Sequence, residues 1–196
     1  LLNLLANLGS SDPAIRLNAA YQLGKMGPKA KKAVSRLKAV ALADEETDVR
    51  VVAIYALGKI GENTQDIVNS LITLLHDEHE NIRYVAVRVL GKLGTDAIEA
   101  VPALLETVKT NDVNGDTKAA AIEAMVQIGL PTELDTINLL IDLLQDPNWY
   151  VRQQATIALA SIETEAVPIL ISELTTFSDY DRASAIVDVL SVMSDE

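Results

Sequence analysis

Hydrophobic and polar positions recur at a nearly constant interval along the whole chain. The stretch 47–61 shows the pattern most clearly, with one arginine, a small alanine, a Leu-Gly step and a closing glycine. The basic residue of this pattern, here called the anchor, is Arg16, Arg50, Arg83, Lys118, Arg152 or Arg182. The intervals between anchors are 34, 33, 35, 34 and 30 residues. This period matches one helix-turn-helix unit and indicates a solenoid of stacked repeats.

Two further positions keep a fixed distance from each anchor. Alanine stands three residues after it, and an apolar residue stands seven after it. These positions share one face of a helix, so we expect them to form the core side of an inner helix in each repeat. The two sets are Ala19, Ala53, Ala86, Ala121, Ala155 and Ala185, and Leu23, Leu57, Leu90, Met125, Leu159 and Val189.

Turn residues divide the pattern into pairs of outer and inner helices. Asp12 and Pro13 are typical of a helix start, and glycine after the apolar run is typical of a helix end. Outer helices are predicted at 28–43, 64–76 and 97–109, and inner helices at 48–60 and 81–93. The outer helix of the fifth pair is predicted to end near residue 145. The last pair, at 165–176 and 180–193, lacks both motif glycines. Such a repeat is typical of a cap or of the cut edge of a longer array.

These repeats resemble HEAT repeats, in particular the short type of the phycobilisome lyases, with an Asp, then Val-Arg, Ala and Leu-Gly-x-Ile-Gly. The resemblance covers essentially all of 1–196. It implies an all-α fold, a right-handed α-α superhelix of about five to six helix pairs in a single domain. The chain begins inside a helix without an initiator methionine, so we expect 1–196 to be a segment of a longer protein.

The resemblance also implies a structural role for the anchors. In HEAT-like arrays the motif aspartate and arginine join neighbouring repeats in a buried hydrogen-bonded ladder. The residues expected in it are Asp12, Arg16, Asp48, Arg50, Arg83 and Arg152, with Glu80 and Asp116 as further acids that precede an anchor. A ligand-binding role for the anchors is the alternative.

Function is expected on the inner-helix positions that avoid both the core and the ladder. Positions five and nine after the anchor project along the concave surface of a regular solenoid. In the first three repeats they form a concave strip, consisting of Tyr21, Lys25, Tyr55, Lys59, Arg88 and Lys92. Such a strip suits an acidic, partly apolar partner. The alternative is that these lysines only complement the helix dipole.

Charge divides the chain into two unlike halves. The net charge is −12, which argues against nucleic acid as a partner. Residues 1–98 hold 12 basic and 11 acidic residues, whereas 99–196 hold 4 and 17. The acidic half is either a solvated surface or a field that orients a partner. A basic cluster at 29–38 has the same two interpretations, a solvated convex face or an anion-docking patch.

Amino-acid composition limits the types of core, covalent cross-link and cellular compartment that are expected for this protein. The chain is 49% hydrophobic but only 4% aromatic, which indicates a core of small helical side chains. Cysteine is absent, so disulfides, zinc–thiolate sites and cysteine nucleophiles are excluded, and we expect a cytoplasmic protein. No apolar run approaches the ~20 residues that span a bilayer, so no membrane association is expected.

Three local patterns invite a ligand interpretation. His76 and His79 lack a third convergent ligand, so no metal site is expected there. The order Asp112, Asn114, Asp116 and Glu123 partly matches a calcium loop, but the turn glycine is missing, which favours a capping turn. Trp149 and Tyr150 open an inner helix and are expected to fill a gap between repeats, with a ligand platform as the alternative.

Two functions from different classes follow. The first is a non-enzymatic scaffold that holds a protein segment or an attached domain on its concave face, without a cofactor or catalytic residues. The second, implied by the resemblance, is a bilin lyase or lyase-related chaperone acting on phycobiliproteins. A linear tetrapyrrole would then place its propionates on Lys25, Lys59, Arg88 and Lys92 and its rings on Tyr21 and Tyr55.

Overall fold

Six helix pairs follow one another along the chain in the computed structural model, which describes residues 1–61, 64–110, 113–176 and 180–194. All regular elements in these ranges are helical. The α-helices are α1 (Leu2–Asn7), α2 (Pro13–Met26), α3 (Val34–Ala43), α4 (Thr47–Ile60), α5 (Thr64–Leu74), α6 (Glu80–Leu93), α7 (Val101–Lys109), α8 (Gly115–Ile128), α9 (Leu134–Leu143), α10 (Trp149–Ser161), α11 (Glu163–Thr176) and α12 (Tyr180–Ser194). Odd-numbered helices are outer and even-numbered helices are inner. The predicted all-α solenoid is confirmed.

Two outer helices begin differently from the prediction. Short 3₁₀ helices at Gly27–Ala33 and Gly94–Ala100 precede α3 and α7, where continuous α-helices were expected from residues 28 and 97. A 3₁₀ helix has three residues per turn, so positions i and i+3 lie in line. The first segment uses this geometry to bury Ala30 and Ala33. The second segment is kinked at Ala97, with φ −101° and ψ 20°, and buries Ala97 and Ala100.

Polar caps and glycines set the ends of the inner helices. The Asp12 carboxylate accepts the Ala14 N–H at 2.9 Å and starts α2. Asn114 and Asn148 do the same for α8 and α10. At the far end of α4, Gly61 adopts the left-handed conformation with φ 64°, which a side chain would disfavour.

The core lies between the two rows of helices and has the register that the anchors predict. The apolar residues seven after the anchors are fully buried, from Leu23 to Val189. The alanines three after the anchors are buried as well, except Ala185, which is half-buried in the last pair. Positions five and nine after the anchors are exposed or half-buried throughout. They therefore remain available to solvent and ligands.

Inner helices approach one another closely in the first three repeats. A Cβ atom at Gly24 would lie 3.1 Å from the Ala56 Cα, and one at Gly58 would lie 2.6 Å from the Val89 Cγ1. The motif glycines are therefore needed where α2 meets α4 and where α4 meets α6. Inner helices pack against their neighbours more extensively than outer helices do. Such packing favours curvature toward the inner row, which is here called the concave face.

In the described residues, only one bent pair of helices has the length and composition of a membrane span. None of the helices there is long and apolar enough to cross a bilayer alone. The pair α10 and α11 meets the criterion by length and composition when taken together, with a bend of 116° between the two helices.

Candidate functional site

A pocket on the concave face brings together four residues of the predicted strip. Tyr21 from α2, Tyr55 and Lys59 from α4, and Lys92 from α6 line a cavity of about 290 Å³. Its floor consists of small and apolar side chains, because Gly24 and Ala56 leave room where α2 and α4 touch. Three consecutive repeats therefore build this feature, here called the tyrosine–lysine pocket.

Amines surround the two rings of this pocket. The Lys25 Nζ lies 5.7 Å from the centroid of the Tyr21 ring, and the Lys92 Nζ lies 5.8 Å from that of Tyr55. Both distances allow a cation–π attraction, which holds the amines beside the rings. None of the described residues that line the pocket is acidic. The site is thus positively charged at its edge and apolar at its floor.

Arg88, the remaining residue of the predicted strip, pairs with an acid of the next repeat. Its Nη1 lies 2.5 Å from Oε2 of Glu123 on the next inner helix, and the Tyr150 hydroxyl donates to the same oxygen at 3.3 Å. Burial and the neighbouring Glu123 carboxylate raise the pKa of Tyr150. The phenol therefore stays a donor. Arg88 belongs to a polar contact between α6, α8 and α10, and its predicted role in ligand binding stays a prediction.

Ion pairs connect consecutive repeats, as the anchors led us to expect. Three of the six anchors reach forward to the acid in the turn that precedes the next inner helix. Arg16 pairs with Asp44 at 2.7 Å, Arg50 pairs with Asp77 and donates to the Ala41 carbonyl, and Lys118 approaches Asp146 at 3.8 Å. Each acid also accepts the backbone N–H two residues later. One carboxylate thus fixes both its own turn and the preceding repeat.

The acids of this ladder differ from the predicted ones. Asp12 caps α2, and Asp48 is exposed in the first turn of α4. The prediction took the acid just before each anchor in sequence as the ladder acid, whereas Arg16, Arg50 and Lys118 pair with the acid that lies in the turn before the next inner helix. The recurrence of Asp44, Asp77 and Asp146 three residues before the first residue of α4, α6 and α10 was the available signal.

Arg83 and Arg152 act mainly on their own turns. In each, Nη1 donates to the backbone carbonyls five and six residues earlier, at distances of 2.8 to 3.0 Å. Arg16 makes the same contacts in addition to its ion pair. The Arg83 Nε is buried and has no hydrogen-bond partner among the described residues. Arg152 is exposed, so the predicted burial fails there.

The ladder acids are poised to remain charged. Burial alone would raise the pKa of Asp44, but hydrogen bonds from Arg16 and from the Glu46 N–H outweigh it and lower that pKa. The same balance, with Arg50 and the His79 N–H as donors, lowers the pKa of Asp77. Protonation of either acid therefore weakens the connection between repeats.

The remaining candidate sites are dispersed. No group of three or more metal-ligating side chains occurs in the described parts of the chain. The His79 Nδ1 lies 3.3 Å from the Asp77 carboxylate, in agreement with a polar turn. Asp112 of the calcium-like pattern lies outside the described residues, and Glu123 is held by Arg88.

Trp149 and Tyr150 behave differently from each other. Their ring centroids are 5.6 Å apart, and Tyr150 is half-buried against the neighbouring repeat. Trp149 is 65% exposed, so the prediction that it fills a gap between repeats is wrong.

Sequence and structure comparisons identify the class of repeat. The family model for HEAT repeats matches residues 34–125 and 101–191, which together cover more than half of the chain. The chain belongs to the HEAT-repeat family. The comparison with curated proteins gives no significant match.

Solved structures with similar folds include a lyase complex, a bacterial protein and designed repeat proteins. The complex of CpcE and CpcF of phycocyanin lyase from Nostoc sp. PCC7120 matches with a TM-score of 0.67 and 27% identity over 97% of this chain and 75% of that one. The YibA protein of Escherichia coli matches with a TM-score of 0.68 and 22% identity, over 98% of this chain and 74% of that one. Armadillo repeat proteins designed for modular peptide recognition match with a TM-score of 0.62 and 20% identity, over 96% of this chain and 98% of that one. The two matches of lower identity support the fold alone.

Proposed function

We propose that this chain is a non-enzymatic scaffold that holds a segment of another protein, or of an attached domain, on its concave face. The observation that carries the proposal is the tyrosine–lysine pocket, which three consecutive inner helices build at one place. Two rings and an apolar floor suit the hydrophobic part of a ligand, and the amines suit its carboxylates. The favoured ligand is therefore an acidic, partly apolar segment.

The uneven charge of the chain supports this assignment. The second half carries 17 acidic and 4 basic residues, so it repels an acidic ligand, whereas the first half is nearly balanced. Opposed fields of this kind guide a ligand to one end of an extended surface. The segment is expected to bind over α2, α4 and α6. Peptide recognition by a related fold, named for the designed armadillo proteins, agrees with this mode of binding.

A peptide array tests the proposal without a known partner. We expect peptides that combine acidic with aromatic or aliphatic residues to be enriched among those bound by the wild-type protein. Tyr55→Ala/Lys59→Ala should abolish most of this binding. Lys31→Ala removes the same charge from an exposed site before α3 and should preserve it. Bound peptides without acidic enrichment, or equal binding by the double variant, would overturn the proposal.

A second function, as a bilin lyase or lyase-related chaperone subunit, is favoured by one specific observation. The CpcE–CpcF complex of phycocyanin lyase is 27% identical and aligns over nearly the whole chain. Under this proposal the cofactor is a linear tetrapyrrole, with its rings against Tyr21 and Tyr55 and its propionates near Lys25, Lys59 and Lys92. Visible absorbance distinguishes the two functions. A shifted, protein-dependent bilin band that Tyr55→Ala/Lys59→Ala removes would support this one, whereas an unchanged spectrum would exclude it.

A further inference from the structure

A second cavity of about 400 Å³ lies where the inner helices α6, α8 and α10 begin. Tyr84 and Tyr150 supply two half-buried rings, and Glu80 and Asp116 supply two exposed carboxylates. Asn81 and Asn114 complete the lining. This set, here called the tyrosine–carboxylate pocket, has the opposite charge to the tyrosine–lysine pocket.

Internal hydrogen bonds hold the walls of this pocket in place. The Asn114 side-chain amide donates to Oε1 of Glu80, and its oxygen accepts the Thr117 N–H at 2.8 Å. The Tyr150 hydroxyl is directed to Glu123 at 3.3 Å. One oxygen of Glu80 is thus engaged and the other is left to accept from a ligand. The pocket is organised before any ligand arrives.

Protein cations near the pocket are already paired. Arg88 contacts Glu123 at 2.5 Å, and Lys118 contacts Asp146 at 3.8 Å. The described residues that line the pocket include no lysine or arginine. The helix dipole favours acidic residues at helix N-termini, and this effect is enough to explain why Glu80 and Asp116 occur there. It does not account for two tyrosine rings that share a cavity with them.

We infer that the tyrosine–carboxylate pocket binds a cationic side chain, lysine or arginine, of the same segment that the tyrosine–lysine pocket binds through its acidic residues. Carboxylates pair with the charge, and the ring faces attract it. This inference rests on the proposed function for the identity of the ligand, and it deepens that function by making the ligand dipolar and giving it a direction.

The shared helix α6 sets the spacing of the two charges. Tyr84 and Lys92 both lie on it, eight residues apart, which corresponds to about 12 Å along the helix axis. An extended chain advances about 3.3 Å per residue. The acidic and basic residues of the segment are therefore separated by at least about four residues. The basic residue lies toward the second half of the array.

The direct test uses L-argininamide as the probe and backbone amide NMR of the isotope-labelled protein as the readout. We expect saturable shifts at Asn81, Tyr84 and Tyr150, with a dissociation constant of about 1 mM. In Glu80→Gln/Asp116→Asn, the affinity should fall about tenfold. Glu163→Gln/Glu165→Gln is the matched control, because it removes two first-turn acids from the distant helix α11 and should leave the shifts unchanged. Absent shifts, or equal shifts in both double variants, would overturn the inference.

The peptide array then separates this inference from the function on which it rests. Wild-type protein should select peptides with a basic residue at least about four positions from the acidic ones. Glu80→Gln/Asp116→Asn should retain the acidic preference and lose the basic one. Retention of both preferences would overturn the dipolar ligand while the scaffold function stands. If the wild-type protein shows no preference for acidic peptides, the scaffold function is contradicted. The argininamide titration would then still show whether the tyrosine–carboxylate pocket binds a cation.

Discussion

Glycine lies at the closest contacts of the inner helices α2, α4 and α6, whereas Val126 in α8 and Ala160 in α10 occupy the same motif position. The first three repeats also contain the tyrosine–lysine pocket and 12 of the 16 basic residues. The later repeats keep the buried apolar frame but lose the glycines and most cations. The buried apolar positions and the exposed inner-helix positions of one repeat therefore vary independently, because the later repeats change the exposed set while retaining the buried one.

The largest expected effect contrasts a buried ion pair with an exposed one. Asp77→Ala leaves the Arg50 guanidinium, only 8% exposed, without its carboxylate, and should lower the free energy of unfolding by about 3 kcal/mol. Asp142→Ala removes a 66% exposed partner of Arg182, which also pairs with Glu173, and should cost less than about 0.5 kcal/mol. Urea unfolding monitored by circular dichroism measures both. Equal losses would contradict the difference between the two regions.

The next effect tests the register of the core. Leu57→Ala and Leu90→Ala each empty a fully buried site, and each should cost about 2 to 5 kcal/mol through cavity formation. Ile171→Ala, at a site 51% exposed in α11, should change stability by less than about 0.5 kcal/mol. Chemical denaturation provides the three values. Losses under about 0.5 kcal/mol at both leucines would refute the inner-helix register.

A smaller effect tests the glycine contacts directly. Gly58→Ala brings a Cβ atom within 2.6 Å of the branched Val89 side chain and should destabilise the protein by about 1 kcal/mol, although alanine favours helices. Ala160→Gly, at the same motif position of α10, should cost about 1 kcal/mol through helix propensity alone. Thermal unfolding reports both. Stabilisation by Gly58→Ala would show that the contact between α4 and α6 accommodates a Cβ atom and does not require glycine.

Acid should weaken the ladder through its carboxylates. The pKa values of Asp44 and Asp77 are lower in the folded protein than the ordinary 3.8, so their contribution is complete above that value and is lost as pH falls through the lower folded values. We expect stability to fall below about pH 4. An Asp44→Asn/Asp77→Asn variant, less stable at neutral pH, should show a shallower loss in the same window. Denaturation at a series of pH values measures this, and identical slopes would contradict it.

Much of this fold could be predicted from the sequence because the repeats are regular. Spacing from the anchors correctly located the buried leucines and the exposed concave positions, since helical periodicity is a local property. The pair of Arg88 and Glu123 was missed although both lie five residues after their anchors, because the predicted strip was confined to the first three repeats. The ladder acids were missed for a related reason. A ladder between neighbouring repeats was predicted, but its acids were sought just before each anchor and not in the turn before the next inner helix.

The tyrosine–carboxylate pocket was also absent from the prediction. Its residues come from the starts of three helices, where the sequence pattern indicated only caps and favourable helix-dipole charges. Tyr84 lies one residue after its anchor, and Tyr150 lies two before its own. Both positions continue the concave face by one more turn toward the helix starts. A search of that extra turn would have placed them beside Glu80 and Asp116.

The most direct test of the account measures binding and stability on the same protein. Tyr55→Ala/Lys59→Ala removes two exposed side chains of the tyrosine–lysine pocket and leaves the buried frame intact. We predict that its thermal midpoint matches the wild type while its affinity for an acidic, partly apolar peptide selected on the array falls at least about tenfold. A lowered midpoint would show that the concave strip is part of the core, and unchanged affinity would show that ligands bind elsewhere.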